Sequence, residues 1–532
     1  MSASASSNTS SGGGQQPILA SQRAKAAGET RKSTFFPLGY NQAFSQWWAS
    51  ITPAMAEHNV MAFIPYLQKP PTHTKTGSAP VSAAQSTMSI DSDASRVSPV
   101  VQTTSLTDPH GPRAWHSKLI QLSGKGRALN EFSVERVGEE VQENLVMLHG
   151  YGAGLGFFYK NFEGLSRAKG WKIYALDMLG MGRSSRPTFK IHAKDHQGKI
   201  DEAENWFIDA LEEWRVLKKI DKFTLLGHSM GGYMAVAYAL KYPGHLNKLI
   251  LASPVGIPED PYAVKADMPE PEDSTMANEF IQDQEDDIVN QSGGTGKVNG
   301  DNNNFLNARS KASDKDNKPS SDAPARRPLP KWLTYLWDAN ISPFSIVRLT
   351  GPLGPKFVSG WTSRRFSHLP FEESEALHQY AYSLFRQRGS GEYALAYILA
   401  PGAFARSPLI RRIQGVGRQS LPPPKDGGSI ERAAVTVTKE TGIPVVMMYG
   451  DHDWMDVTGG YAAERKIQDE KAKVLQTATE EEKRLENGNA KVVIIKQAGH
   501  HLYLDGWEEF NEVMRKEMDE TSRDTKKFNS RS

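Results

Sequence analysis

Short, continuous apolar runs recur through the middle and end of the chain, separated by longer amphipathic stretches. Residues 144–148, 171–176, 223–226, 249–252, 444–449 and 492–495 each read as a strand buried on both faces, as in a parallel sheet. Residues 132–137 alternate apolar and polar positions, the pattern of an antiparallel edge strand. Between these runs, helical periodicity predicts helices over about 155–169, 202–217, 233–240 and 372–386, and a charged surface helix over about 462–486. In the second of these, Trp206, Phe207, Ala210, Leu211 and Trp214 share one stripe. Strands alternating with helices predict an α/β fold with a mostly parallel central sheet.

Several segments fall outside that pattern. Residues 1 to about 34 are Ser-, Gly- and basic-rich, fitting either a mitochondrial transit peptide or a disordered tail. The segment 35–67 is crowded with aromatic residues, including Trp47 and Trp48; it suits either a membrane interface or a helix packed on the catalytic domain. Residues 70–105 read as linker, completing a first, mostly disordered region, 1–105. Core is expected over 106–258, a disordered polar insertion over 259–327, a helical cap over 328–424, more core over 425–518 and a tail over 519–532.

Composition narrows the chemistry. The 63 basic and 61 acidic residues nearly cancel, so no global field points to nucleic acid. There is no Cys, which excludes disulfides, thiol catalysis and Cys-ligated metals; neither metal nor cofactor is expected. No apolar stretch reaches the roughly eighteen residues of a spanning helix, so the membrane contact expected is peripheral.

Catalytic candidates lie where strands end. Gly227-His228-Ser229-Met230-Gly231 joins a strand to a helix, as in a nucleophile elbow, making Ser229 the candidate nucleophile. The Met230 N–H and that of Tyr151, in the His149-Gly150-Tyr151-Gly152 loop, are the candidate oxyanion donors. Chain order then calls for an acid after residues 444–449 and a His after the last strand. Asp453 is the expected acid with Asp456 its rival, while Asp451 reads as a turn residue; His500 is the expected base, and His501 orients it or faces solvent.

With Gly150–Phe158, Asp177–Ser185, Gly450–Asp456 and Gly499–Asp505, the elbow resembles one α/β-hydrolase subgroup. That subgroup contains the animal α/β-hydrolase-domain proteins four and five, lysophosphatidic acid acyltransferases of plants and yeast, and the fungal mitochondrial cardiolipin-specific deacylase. The resemblance spans about 110–518 apart from the polar insertion and is nearest to the fungal deacylase. It implies an α/β-hydrolase fold with a helical cap and a serine-dependent lipase that deacylates glycerophospholipids, cardiolipin above all, at the mitochondrial inner membrane. A lipid droplet or cytoplasmic membrane surface is the alternative location. The alternative activities are an acyltransferase using acyl-CoA and a non-enzymatic lipid-surface scaffold. One animal member lacks the nucleophile, whereas this chain keeps Ser229. The family's H-x4-D motif, linked to acyl transfer, is matched by His500 and Asp505; Asp505 equally suits a cap for a helix starting near Gly506.

Overall fold

The apolar runs form six neighbouring strands of a nine-stranded sheet, reaching one of its edges. A computed structural model of the chain describes residues 37–75, 99–260, 264, 342–400, 404–422 and 439–529. Its strands are β1 (Val100–Gln102), β2 (Arg113–Gln121), β3 (Ala128–Arg136), β4 (Glu143–Leu148), β5 (Trp171–Leu176), β6 (Phe223–His228), β7 (Leu246–Ala252), β8 (Pro444–Gly450) and β9 (Asn489–Ile495). They are ordered β1-β2-β3-β5-β4-β6-β7-β8-β9. From β5 through β9 every pairing is parallel. The loops that follow β4, β6, β8 and β9 therefore gather at one edge of the sheet, where open α/β sheets form their clefts.

Residues 132–137 lie mostly within β3, which is not an edge: it pairs antiparallel with both β2 and β5. Its polar positions face partners instead of water. Asn130 donates to Asp177 at 2.8 Å, and Glu131 accepts from the Trp214 indole at 2.8 Å and from Lys218 at 2.9 Å. Satisfied in this way, a polar position can be buried. β1 and β2, absent from the sequence reading, extend the sheet beyond β3.

Helices cover both faces. In chain order they include α1 (Tyr40–Ala49), α2 (Pro53–Met61), α3 (Tyr159–Leu165), α4 (His196–Leu217) and α5 (Met230–Lys241). The cap contributes α6 (Pro343–Leu349), α7 (Gly354–Arg365) and α8 (Phe371–Phe385) between β7 and β8, followed by α9 (Val457–Thr477) and α10 (Trp507–Asn529).

The expected boundaries need correction at both ends. Ala56, Val60, Met61, Ile64 and Leu67 join the core cluster of the sheet, so much of 35–67 packs against the catalytic domain. Thr72 and His73, assigned to linker, are buried, with His73 Nε2 2.6 Å from Asn130 Oδ1. β1 also falls inside the expected linker. α10 runs through most of the expected tail and buries Thr521. The basic start, residues 76–98, nearly all of the polar insertion, the cap's opening 328–341 and part of its end lie outside the described residues. Among the described residues, no helix is long and apolar enough to cross a membrane.

Candidate active site

Ser229 sits between β6 and α5 with φ 53 and ψ −117, a conformation that costs a non-glycine residue about 1–3 kcal/mol. The surroundings hold it there. Its N–H donates to the Ala252 carbonyl at 2.9 Å, and its own carbonyl accepts from Gly232 and Tyr233 in the first turn of α5. A Cβ at Gly227 would lie 2.2 Å from the Gly231 carbonyl oxygen, and one at Gly231 would lie 2.6 Å from that of His149. Both glycines are thus required for strand, helix and the neighbouring loop to approach.

That neighbouring loop, 149–152, passes directly over the serine: a Cβ on Gly150 would come within 3.1 Å of the Ser229 Cβ. His149 fastens it. Met178 N–H donates to His149 Nε2 at 3.1 Å, which leaves the proton on Nδ1 to donate to the Gly150 carbonyl at 2.7 Å. Complete burial holds the His149 pKa below its usual value, favouring this neutral ring. Asp177 braces the stretch just beyond, accepting from the N–H groups of Leu155 and Arg183, each at 2.7 Å. The glycine-rich turn 177–185 therefore supports the loop instead of entering the chemistry. Neither the Tyr151 nor the Met230 backbone N–H donates to a group among the described residues.

After β8, the Asp453 carboxylate is fully buried and lies 3.2 Å from His500 Nδ1. It also accepts from Met455 N–H at 3.0 Å and from the Ser253 hydroxyl. Ser253, at the end of β7, carried no motif that marked it. Asp456 is occupied elsewhere: it caps α9 by accepting from Thr458 N–H at 2.9 Å. Asp451 ties the loop after β8 to the loop after β9, accepting from Ala498 N–H at 3.0 Å.

The His500 ring packs against Trp454 and His228, with centroids 4.9 and 4.8 Å away. The structure joins His500 to Asp453 and sets Ser229 on the same sheet edge, but no hydrogen bond links the Ser229 hydroxyl to His500. Such contacts are often long without substrate. His501 faces Arg365 at the end of α7, not solvent. Asp505 neither reaches the His500–Asp453 pair nor caps α10. It ends the short helix Leu502–Asp505, accepts from Gly499 N–H at 3.1 Å and lies 3.4 Å from His368 of the cap.

The cap roofs the loop with aromatic rings. Phe344 stacks on Tyr151 at 5.2 Å and on Phe385 at 4.3 Å, and Trp361 lies 5.8 Å from Phe385. These rings place an apolar roof over the 149–152 loop. A buried acid–imidazole pair, a strained serine and two unengaged amides under an apolar roof can carry out acyl transfer through a covalent intermediate.

The chain matches the family model described as alpha/beta hydrolase fold over residues 143–506. It is 29% identical over 389 residues to a 1-acylglycerol-3-phosphate O-acyltransferase of Arabidopsis thaliana, spanning 72% of this chain and 68% of that protein. The rat 1-acylglycerol-3-phosphate O-acyltransferase ABHD5 is 29% identical over 376 residues, covering 70% of this chain and 76% of its own length. A human (lyso)-N-acylphosphatidylethanolamine lipase is 25% identical over 375 residues, covering 70% and 77% respectively.

Proposed function

Because this chain belongs to the alpha/beta hydrolase fold family, we propose that it is a serine-dependent lipase that deacylates glycerophospholipids, cardiolipin foremost. The observation that carries this reading is the strained Ser229 on the same sheet edge as the buried His500–Asp453 pair. In the proposed reaction, Asp453 accepts a hydrogen bond from His500 Nδ1–H, leaving the Nε2 lone pair to take the Ser229 proton. The Ser229 oxygen attacks the ester carbonyl, and the Tyr151 and Met230 N–H groups hold the resulting oxyanion. Collapse breaks the ester bond, and the departing lysophospholipid oxygen takes its proton from His500. Water, deprotonated by His500, then attacks the acyl-enzyme; the second tetrahedral intermediate releases fatty acid as Ser229 recovers its proton.

The relatives named as acyltransferases favour a second reading, in which acyl-CoA loads Ser229 and a lysophospholipid hydroxyl replaces water. Neither reading needs a metal or cofactor. Peripheral membrane contact is proposed through α1, whose Tyr40, Phe44 and Trp48 are exposed aromatic rings suited to a lipid interface. The proposed setting is the mitochondrial inner membrane.

Mass spectrometry of mixed phospholipid vesicles containing cardiolipin tests the function, using wild-type protein and Ser229→Ala. The proposal expects monolysocardiolipin and free fatty acid with wild type only. Acylation of lysophosphatidic acid by acyl-CoA without fatty acid release would favour the second reading. No Ser229-dependent product in either assay would leave a lipid-surface scaffold.

A further inference from the structure

Arg113 holds Asp108, Arg183 holds Glu57 and Arg418 holds Glu486. Arg365, on the last turn of α7, is different. Among the described residues its hydrogen-bond partner is the neutral acceptor His501 Nδ1, it has no carboxylate within ion-pair distance, and its Nε is buried without a partner. Its guanidinium therefore pairs with no carboxylate there, while Asp505 also acts on the neighbouring Tyr503 hydroxyl.

The side chains around it are also incompletely satisfied. The His501 ring lies 5.0 Å from His228 and 5.8 Å from Tyr503, and His228 and Tyr503 are 4.8 Å apart. The Tyr503 hydroxyl is buried with no hydrogen-bond partner, and so is His228 Nδ1. His228 Nε2 lies 3.0 Å from the His500 carbonyl and must carry the proton, so the free Nδ1 is an acceptor. Leaving buried polar groups without partners is costly, so this arrangement favours a ligand that supplies the missing partners.

Resting on the proposed lipase or acyltransferase reading, we propose that Arg365 and Tyr503 form a phosphate-binding site beside the reacting ester. A phosphate oxygen accepts from the Arg365 guanidinium and the Tyr503 hydroxyl, and His228 Nδ1 accepts a hydroxyl carried by the same headgroup. Guanidinium matches phosphate in charge and in the fork of its donors. The phosphate arrives either on the lipid headgroup or on coenzyme A, and the two sources are separable by experiment.

The test compares kcat/KM for phospholipid vesicles and for an uncharged ester of the same acyl chain, in wild type, Arg365→Gln and Arg365→Lys. The expected result is a fall of about tenfold to a hundredfold in the phospholipid-to-neutral-ester ratio for Arg365→Gln, carried by KM and partly restored by Lys. An unchanged ratio, with the variant folded by thermal melting, overturns the site. If the fall appears in KM for acyl-CoA and not for lipid, the phosphate is that of coenzyme A and the headgroup assignment is overturned. Calorimetric titration of the whole chain with glycerol 3-phosphate keeps this separate from the catalytic reading. Binding that Arg365→Gln weakens supports the site even if no lipid is turned over, and no binding to wild type overturns the headgroup assignment.

Discussion

Two aspartates three residues apart carry different burdens. Asp453 lies fully buried against His500 and takes hydrogen bonds from Met455 and Ser253, whereas Asp456 caps α9. Asp453→Asn is therefore expected to lower kcat by a factor on the order of 10³ to 10⁴, because the amide favours the wrong tautomer of His500. Asp456→Ala is expected to cost about 1 kcal/mol of stability and to leave kcat within about twofold. Steady-state kinetics with thermal melting separates the two, and the reverse pattern would overturn the assignment. The residues that could be read in sequence were those whose chemistry is tied to local order: serine between two glycines, acid after a strand, histidine after glycine. Ser253 and Arg365 were not legible, since each matters through a partner far away in the chain, Asp453 and His501.

At the scale of elements, legibility followed unbroken apolar sequence. β4 through β9 announced themselves as continuous apolar runs, while β2 mixes His116, Ser117 and Lys118 into its length and β1 has only three residues. Docking of α2 on the core was one of two readings its sequence allowed, but the charged residue it buries there was not legible. Glu57 pairs with Arg183 and Asn130, and burial raises its pKa from 4.5 to about 7. A carboxyl raised on folding contributes stability that is complete below pH 4.5 and lost as pH rises through about 7. Glu57→Gln removes this titration, so the melting temperature of wild type relative to the variant should fall as pH rises from about 4.5 to just above 7, by an amount equivalent to about 3 kcal/mol. Parallel curves would contradict it. The loop after β9 offers a second test, because Asp505 holds the Gly499 N–H and faces His368 of the cap. Asp505→Ala should lower hydrolysis and acyl transfer together, by about tenfold, with Asn largely restoring both. Selective loss of transfer would instead make Asp505 part of the transfer chemistry.

Across the whole molecule, the N-terminal helices and the cap form a continuous structure. The Leu38 N–H donates to Ser359 Oγ at 3.0 Å, and Lys356 lies 4.1 Å over the Tyr40 ring. α1 and the cap together expose Tyr40, Phe44, Trp48, Leu349, Leu353 and Phe357. If this face meets lipid, Phe44→Ala with Trp48→Ala should weaken binding to anionic vesicles by roughly tenfold without lowering the melting temperature, read by flotation and calorimetry. Unchanged flotation would remove the face from the account. The layered sheet and its order of loops were readable because α/β crossovers follow few topologies. The join between N-terminal segment and cap was not, since it pairs residues more than three hundred positions apart.

In the proposed reaction Ser229 is the nucleophile of an acyl-transfer site completed by His500 and Asp453. Its most direct test is tandem mass spectrometry of the intact chain after treatment with a fluorophosphonate, which modifies an activated serine. One phosphonylated peptide containing Ser229 is expected, absent in Ser229→Ala and formed far more slowly in His500→Ala. A folded wild-type chain that stays unmodified at Ser229, or is modified there equally fast without His500, would contradict it.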